Sequence, residues 1–148
     1  MSDLRDLYQE VIFDHYRKPR NFHSLADANR KAEGFNPLCG DHLTLYLKVE
    51  NGVIQDVSFE GAGCAISTAA ASLLTESIKG KTEQQAAHMF QEFHDLVTQD
   101  KSPLNGDLGK LEVLGGVREF PSRVKCATLA WHALQAALAN RKEAVSTE

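Results

Sequence analysis

Cysteine is scarce in this sequence of 148 residues, and its three cysteines lie far apart. An exported, disulfide-stabilised domain of this size usually has a dense and even set of cysteines, so a reducing cytoplasm fits better. The sequence also lacks a run of about 18 apolar residues, which excludes an ordinary membrane-spanning helix. Residues 1–6 are charged and do not resemble the apolar core of a signal peptide. We therefore expect a cytoplasmic protein that does not associate with a membrane.

The sequence has no excess of positive charge. The formal net charge is −4 and the isoelectric point is near 5.9, which gives no electrostatic basis for binding nucleic acid. Hydrophobic residues make up 43% and charged residues 24% of the chain, as in ordinary globular proteins. The length suits one domain, which we predict to span residues 1–148, with a frayed tail over about 141–148.

Two kinds of hydrophobic periodicity predict an α+β fold. Apolar residues spaced three and four apart predict helices near the N-terminus, after Cys64, after Thr82 and after Pro121. The segment Thr-Glu-Gln-Gln (82–85) predicts a capping box at the start of the third of these helices. Alternating apolar residues predict strands over 43–49 and 53–59, and one short edge strand is possible within 20–36. Because no βαβ alternation is present, we expect a two-layer architecture, with a small three-stranded antiparallel sheet packed against helices.

The turn at Asn51–Gly52 joins the two long strands, and its loop length decides their register. A two-residue loop would pair Leu47 with Asp56 and place a charge on the core face. A three-residue loop, 50–52, pairs Leu45 with Val57 instead and keeps apolar residues together. We therefore predict the three-residue loop, with Gly52 in the left-handed conformation.

Three cysteines and one aspartate fall at predicted element boundaries, where distant parts of a chain can converge. Cys39 and Asp41 flank Gly40 in an extended segment, so both side chains can reach one metal ion. Cys64 lies at a helix N-terminus, where backbone N–H groups favour a thiolate. Cys126 has Arg123 and Lys125 nearby, and cations also favour a thiolate.

Three thiolates and one carboxylate suit a tetrahedral Zn²⁺ ion. The same residues suit iron or a transient [2Fe–2S] cluster equally well, because thiolates are the usual cluster ligands. The spacing of the cysteines matches no zinc ribbon, finger or knuckle, so buried cysteines acting only as small apolar residues remain an alternative. The histidines are weaker candidates. His42 is a reserve ligand that strand alternation turns away from Asp41, and His132 lies off the Cys126 face of its helix. The other histidines that we assign to solvated or capping positions are His15, His23, His88 and His94.

Three motifs resemble the NifU N-terminal domain/IscU superfamily. They are Asn-Pro-Leu-Cys-Gly-Asp (36–41), Gly-Ala-Gly-Cys-Ala-Ile-Ser (61–67) and Arg-Val-Lys-Cys-Ala-Thr-Leu-Ala-Trp (123–131). The likeness extends over about residues 3–140. IscU-type scaffolds have a histidine before the third cysteine, where this chain has Lys125. An added segment at about 99–116 also resembles the SufU branch, so the chain is identified as a SufU-type member.

The resemblance implies a zinc-dependent sulfurtransferase that works in iron–sulfur cluster assembly. Its partners would be a SufS-type, pyridoxal-phosphate-dependent cysteine desulfurase and a downstream Suf scaffold. The zinc ligands would be Cys39, Asp41, Cys64 and Cys126, and Cys39 would accept persulfide sulfur when a histidine of the desulfurase replaces it on zinc. Residues implied to surround the ligands are Gly40, His42, Arg123 and Lys125. Two alternatives remain: a scaffold that assembles and transfers a [2Fe–2S] cluster, and a structural zinc protein.

Overall fold

The computed structural model describes residues 4–37, 40–99, 114, 121–139 and 145–146 of the chain. Within these ranges the chain forms four helices and four strands. They are α1 (Leu4–Arg17), β1 (Arg30–Asn36), β2 (Asp41–Glu50), β3 (Val53–Ala62), α2 (Ala65–Ile78), α3 (Glu83–Gln99), α4 (Pro121–Leu138) and β4 (Val145–Ser146). Strands β1 to β3 are consecutive and helices flank them on both sides in sequence, so the predicted α+β class is confirmed.

The sheet has the strand order β3-β2-β1-β4. Strands β1, β2 and β3 pair antiparallel, as predicted, and the edge strand expected within residues 20–36 is β1. The short strand β4 pairs parallel with β1 at Gly34 and Phe35. Our prediction of a frayed tail is therefore wrong for Val145 and Ser146, because the edge of β1 offers backbone groups with which they pair. The extent of the domain, 1–148, stays a prediction.

The β2–β3 hairpin has a two-residue loop, so the three-residue loop predicted from the sequence is wrong. Glu50 pairs with Val53, and the two loop residues both have positive φ, 54° at Asn51 and 76° at Gly52. These angles are typical of the primed turn whose twist matches that of the flanking strands. The expected left-handed conformation of Gly52 is confirmed.

A β-bulge removes the charge conflict that argued against the short loop. The register shifts beyond Val49, which pairs with Ile54, so that Lys48 pairs with Asp56 and Gln55 is the extra residue. Beyond the bulge Leu47 pairs with Val57, and both side chains are fully buried. One extra residue restores the alternation of buried and exposed positions that a plain two-residue hairpin would have reversed.

The core lies between the sheet and the helices. Helix α2 contacts α1, α4 and β3, and its Ala69, Ala70 and Ala71 are fully buried, which lets neighbouring elements approach closely. The largest fully buried side chains come from both layers: Leu45, Leu47, Ile54, Leu73, Leu74, Ile78, Phe93, Leu114, Leu129 and Trp131. This interior fixes the ends of β2, α2 and α4 relative to one another.

Local helix signals are confirmed, but one histidine is not where we predicted it. The N–H of Gln85 donates to Thr82 Oγ1 at 3.0 Å and the N–H of Thr82 donates to Gln85 Oε1 at 2.9 Å, which is the predicted capping box. His15, predicted to be solvated or capping, is only 1% exposed. Its Nδ1 lies 2.7 Å from Ser72 Oγ, so a partner on α2 makes this burial possible.

Candidate metal centre

The structure brings Asp41, Cys64 and Cys126 together at one end of the sheet. One ligand atom from each residue lies within 4.8 Å of the other two. Tetrahedral zinc with bonds of about 2.0 Å to oxygen and about 2.3 Å to sulfur places its ligand atoms about 3.5–3.8 Å apart. Three of the four predicted ligands are therefore close to their binding distances. Cys39, the fourth, lies outside the described residues.

Asp41 is the first residue of β2, and its carboxylate is held by backbone and side-chain donors. It is only 2% exposed, and its Oδ1 accepts a hydrogen bond of 2.8 Å from the N–H of Cys64. Asn36 Nδ2 donates to the other oxygen, Oδ2, at 3.2 Å. Since Oδ1 is occupied by the helix N-terminus, Oδ2 is the oxygen positioned for a metal ion, and it lies 3.9 Å from Cys64 Sγ.

Gly63 makes space for this carboxylate. A Cβ atom at position 63 would lie 2.5 Å from Asp41 Oδ1, closer than real Cβ atoms approach an oxygen. Position 63 of the Gly-Ala-Gly-Cys motif therefore needs glycine for a steric reason, because the chain entering α2 passes directly against the Asp41 side chain.

Cys64 is the N-cap of α2, as predicted. Its φ and ψ are −71° and 168°, and its Sγ accepts a hydrogen bond of 3.4 Å from the N–H of Ser67. The hydrogen bond from Cys126 is the largest cause that lowers the pKa of Cys64, from its ordinary value of 9.0 to about 6. The backbone N–H groups of Ser67 and Ile66 also lower it, whereas burial and the charge of Asp41 oppose the shift. Cys64 is thus a thiolate at neutral pH before any metal binds.

We expect the Cys64 thiol of the metal-free protein to titrate near pH 6. The folded pKa lies below the ordinary value, so the thiolate stabilises the fold above the ordinary pKa, and this contribution is lost as the pH falls through about 6. The thiolate absorbance in a Cys39→Ala background measures the midpoint. Cys126→Ala should raise it toward the ordinary value, whereas Cys126→Ser retains a hydrogen-bond donor and should leave it low. Equal midpoints in both variants would contradict the assigned cause.

Asn36 is a further residue of the site that was not predicted from the sequence. It is fully buried at the end of β1, where it pairs with Asp41, and its Nδ2 lies 3.3 Å from Cys126 Sγ. The signal in the sequence was a polar residue within the motif that contains Cys39.

A residue next to a ligand in sequence need not lie beside the metal position. His42 is exposed and stacks on Phe35, at 4.8 Å between ring centroids, so it faces away from Asp41 as predicted.

The remaining residues implied to surround the ligands are close to them in sequence. Gly40 has a φ of +70°, a conformation that glycine adopts easily between Cys39 and Asp41. On α4, Arg123 is exposed and Lys125 is half-buried. An effect of these two cations on Cys126 stays a prediction.

The fold and the site together define a small α+β protein in which two cysteines and one aspartate lie close enough to bind one metal ion. Residues 7–147 match the NifU-like N terminal domain family. The chain therefore belongs to this family, and the predicted membership is confirmed. Within the described residues, no helix is long and apolar enough to cross a membrane.

The chain is similar to relatives of two kinds. It is 42% identical over 141 residues to the zinc-dependent sulfurtransferase SufU of Bacillus subtilis. The aligned region covers 95% of this chain and 95% of the relative. It is 38% identical over 138 residues to the iron–sulfur cluster assembly scaffold protein IscU of Streptococcus pyogenes, covering 93% and 86%. The crystal structure of the FiSufU protein of Fervidobacterium islandicum superposes with a TM-score of 0.83 at 36% identity, covering 89% of this chain and 96% of that chain. These similarities agree with the predicted SufU branch.

Proposed function

We propose that this protein is a zinc-dependent sulfurtransferase that accepts persulfide sulfur for iron–sulfur cluster assembly. The observation that supports this most directly is the convergence of Asp41, Cys64 and Cys126. Its sulfur and oxygen donors fit zinc, and the similarity to a zinc-dependent sulfurtransferase points to the same ion. Cys39 would complete the set, and bound zinc would keep its thiolate ligands deprotonated and unreactive until one is released.

The four ligands would have different functions. Backbone or side-chain hydrogen bonds hold Asp41, Cys64 and Cys126, and Cys39 would be the ligand that leaves zinc to accept sulfur. In the transfer step the Cys39 thiolate attacks the terminal sulfur of the desulfurase persulfide. A new S–S bond forms on Cys39, the original S–S bond breaks, and the desulfurase cysteine leaves as a thiolate. The step is redox-neutral and needs no further reactant.

The sulfur donor that we propose is a SufS-type cysteine desulfurase, and the receiver is a downstream Suf scaffold. Both belong to the cytoplasm, whose reducing conditions preserve the thiols of the site. Among the residues implied to surround the ligands, Arg123 and Lys125 would favour thiolates, and Gly40 provides the left-handed backbone position before Asp41. His42 stacks on Phe35, so we propose no contribution from it.

A scaffold that assembles and transfers a [2Fe–2S] cluster is the second candidate. It is favoured by the 38% identity to an IscU scaffold protein and by a donor set that accepts iron as well as zinc. Lys125 argues against it, because a histidine there would supply one more cluster ligand. A structural zinc protein is the third possibility, in which Cys39 would serve only stability.

Metal analysis and sulfur trapping distinguish these functions. We expect stoichiometric zinc in the purified protein, stimulation of a SufS-type desulfurase, and one added sulfur atom on Cys39 by mass spectrometry. Cys39→Ala should abolish both stimulation and the added sulfur, while Thr98→Ala, an exposed position on α3, should change neither.

The alternative functions give different results. A stable coloured cluster without any effect on the desulfurase would overturn sulfur transfer in favour of the scaffold. Stoichiometric zinc without any effect on the desulfurase, combined with a lower melting temperature of Cys39→Ala, would identify a structural zinc protein.

A further inference from the structure

Asn36 is placed between two metal ligands that come from different elements. Its Nδ2 lies 3.2 Å from Asp41 Oδ2, on β2, and 3.3 Å from Cys126 Sγ, on α4. The side chain is fully buried, so its amide group does not exchange these partners for water. One amide nitrogen therefore links the sheet to the last helix at the metal centre.

The chemistry of the two acceptors determines how the amide is oriented. The Asp41 carboxylate and, once a metal ion is bound, the Cys126 thiolate are both acceptors, and an amide NH₂ group has two hydrogens, one for each. The reverse orientation would place Asn36 Oδ1 against two negatively charged atoms and make both contacts repulsive. An amide NH₂ also has no lone pair available for a metal ion, so Asn36 orients the ligands without competing with them.

The other described ligand atoms at this site are held by backbone donors. The N–H of Ser67 donates to Cys64 Sγ and the N–H of Cys64 donates to Asp41 Oδ1, both at the start of α2. Asn36 differs because it joins the Cys126 thiolate to the same carboxylate oxygen that faces the metal position. Its two hydrogen bonds connect β2 and α4 directly, independently of α2.

We propose that Asn36 is a positioning residue that holds Asp41 and Cys126 as a fixed pair of metal ligands. The pair then keeps its geometry when another ligand leaves, which restricts exchange to Cys39. The inference rests on the proposed zinc-dependent function, but it concerns the metal site itself and is tested without sulfur transfer. Donors of this kind around a metal site typically contribute about 10–100-fold to metal affinity.

Cobalt substitution tests the proposal by spectroscopy. Asn36→Leu removes both donors at similar volume, and Asn36→Ser provides a second, smaller variant if the first does not fold. We expect Co²⁺ and Zn²⁺ to bind about 10–100-fold more weakly in these variants. The sulfur-to-cobalt charge-transfer band should move to lower energy, because a thiolate that has lost a hydrogen bond donates charge more readily.

Asn29 provides the matched control. Its side chain makes a comparable pair of hydrogen bonds with the backbone of Val49, before the other end of β1. Asn29→Leu should lower stability without changing the cobalt spectrum or affinity. Wild-type affinity and spectrum in a folded Asn36 variant would overturn the proposal, as would the same spectral change in Asn29→Leu. Absence of a thiolate–cobalt band in the unmodified protein would instead reject the proposed metal function.

Discussion

Gly63→Ala should weaken zinc binding by about 10–100-fold while leaving the protein folded. The added Cβ would lie 2.5 Å from Asp41 Oδ1, 3.1 Å from Cγ and 3.2 Å from Cβ of the same residue. The Asp41 side chain must move, yet it is buried and held by Cys64 and Asn36. Any movement that relieves the overlap disrupts the hydrogen bond to the start of α2 and displaces Oδ2. Overpacking of this kind also costs about 1–3 kcal/mol of stability.

Competition with a chromogenic zinc chelator measures the affinity, and circular dichroism reports the fold. Gly80→Ala is the matched control, because Gly80 follows α2, has a φ of +85° and has no atom within 4 Å of an added Cβ. Backbone strain should lower the free energy of unfolding of that variant by about 1–2 kcal/mol, while its zinc affinity is retained. An unchanged affinity in Gly63→Ala would mean that Asp41 does not bind the metal ion in the observed position.

Gly61→Ala should be more destabilising than the alanine substitutions at Gly52, Gly63 and Gly80. We expect it to lower the free energy of unfolding by about 3 kcal/mol or more. Its Cβ would lie 2.2 Å from the carbonyl oxygen of His42 and 2.7 Å from Leu43 Cα. Both atoms belong to the backbone of β2, which cannot rotate away as a side chain can. The φ of +152° adds strain that an L-residue rarely tolerates.

Denaturant unfolding of the metal-free proteins measures this difference. Gly52→Ala is the control in the same hairpin, since its φ is +76° and no atom lies within 4 Å of its added Cβ. It should lose only about 1–2 kcal/mol, the cost of the left-handed conformation without a steric contact. Similar losses for both variants would show that the close approach of β3 to β2 at Gly61 does not contribute.

The local features of the fold were predictable because they depend on residues close together in sequence. The alternation of Leu43, Leu45, Leu47 and Val49 identified β2, and the Thr82–Gln85 capping box located the start of α3. The hairpin register was not predictable in the same way. The bulge at Gln55 costs local pairing, and it is selected because Leu47 and Val57 must both face a core that other elements complete.

Position in space also explains the residues that were assigned incorrectly or missed. His15 lies on α1, and only the packing of α1 against α2 supplies Ser72 as its partner. Asn36 ends the range 20–36, for which the sequence predicted only a possible edge strand. Its importance arises from the pairing of β1 with β2 and the approach of α4, which surround it with Asp41 and Cys126.

The sequence by itself determined the fold class and most strands and helices, and it supplied the candidate metal ligands within three local motifs, since each depends on near neighbours. Only the tertiary structure decided which of these groups meet. Cys64 and Cys126 are far apart in sequence, and their thiols come together because α2 and α4 pack on the same core. The fully buried Asn36 amide and the missing Cβ of Gly63 then adapt the space around Asp41. Such complementarity is a property of the packed interior, in which a contact depends on distance and not on sequence separation.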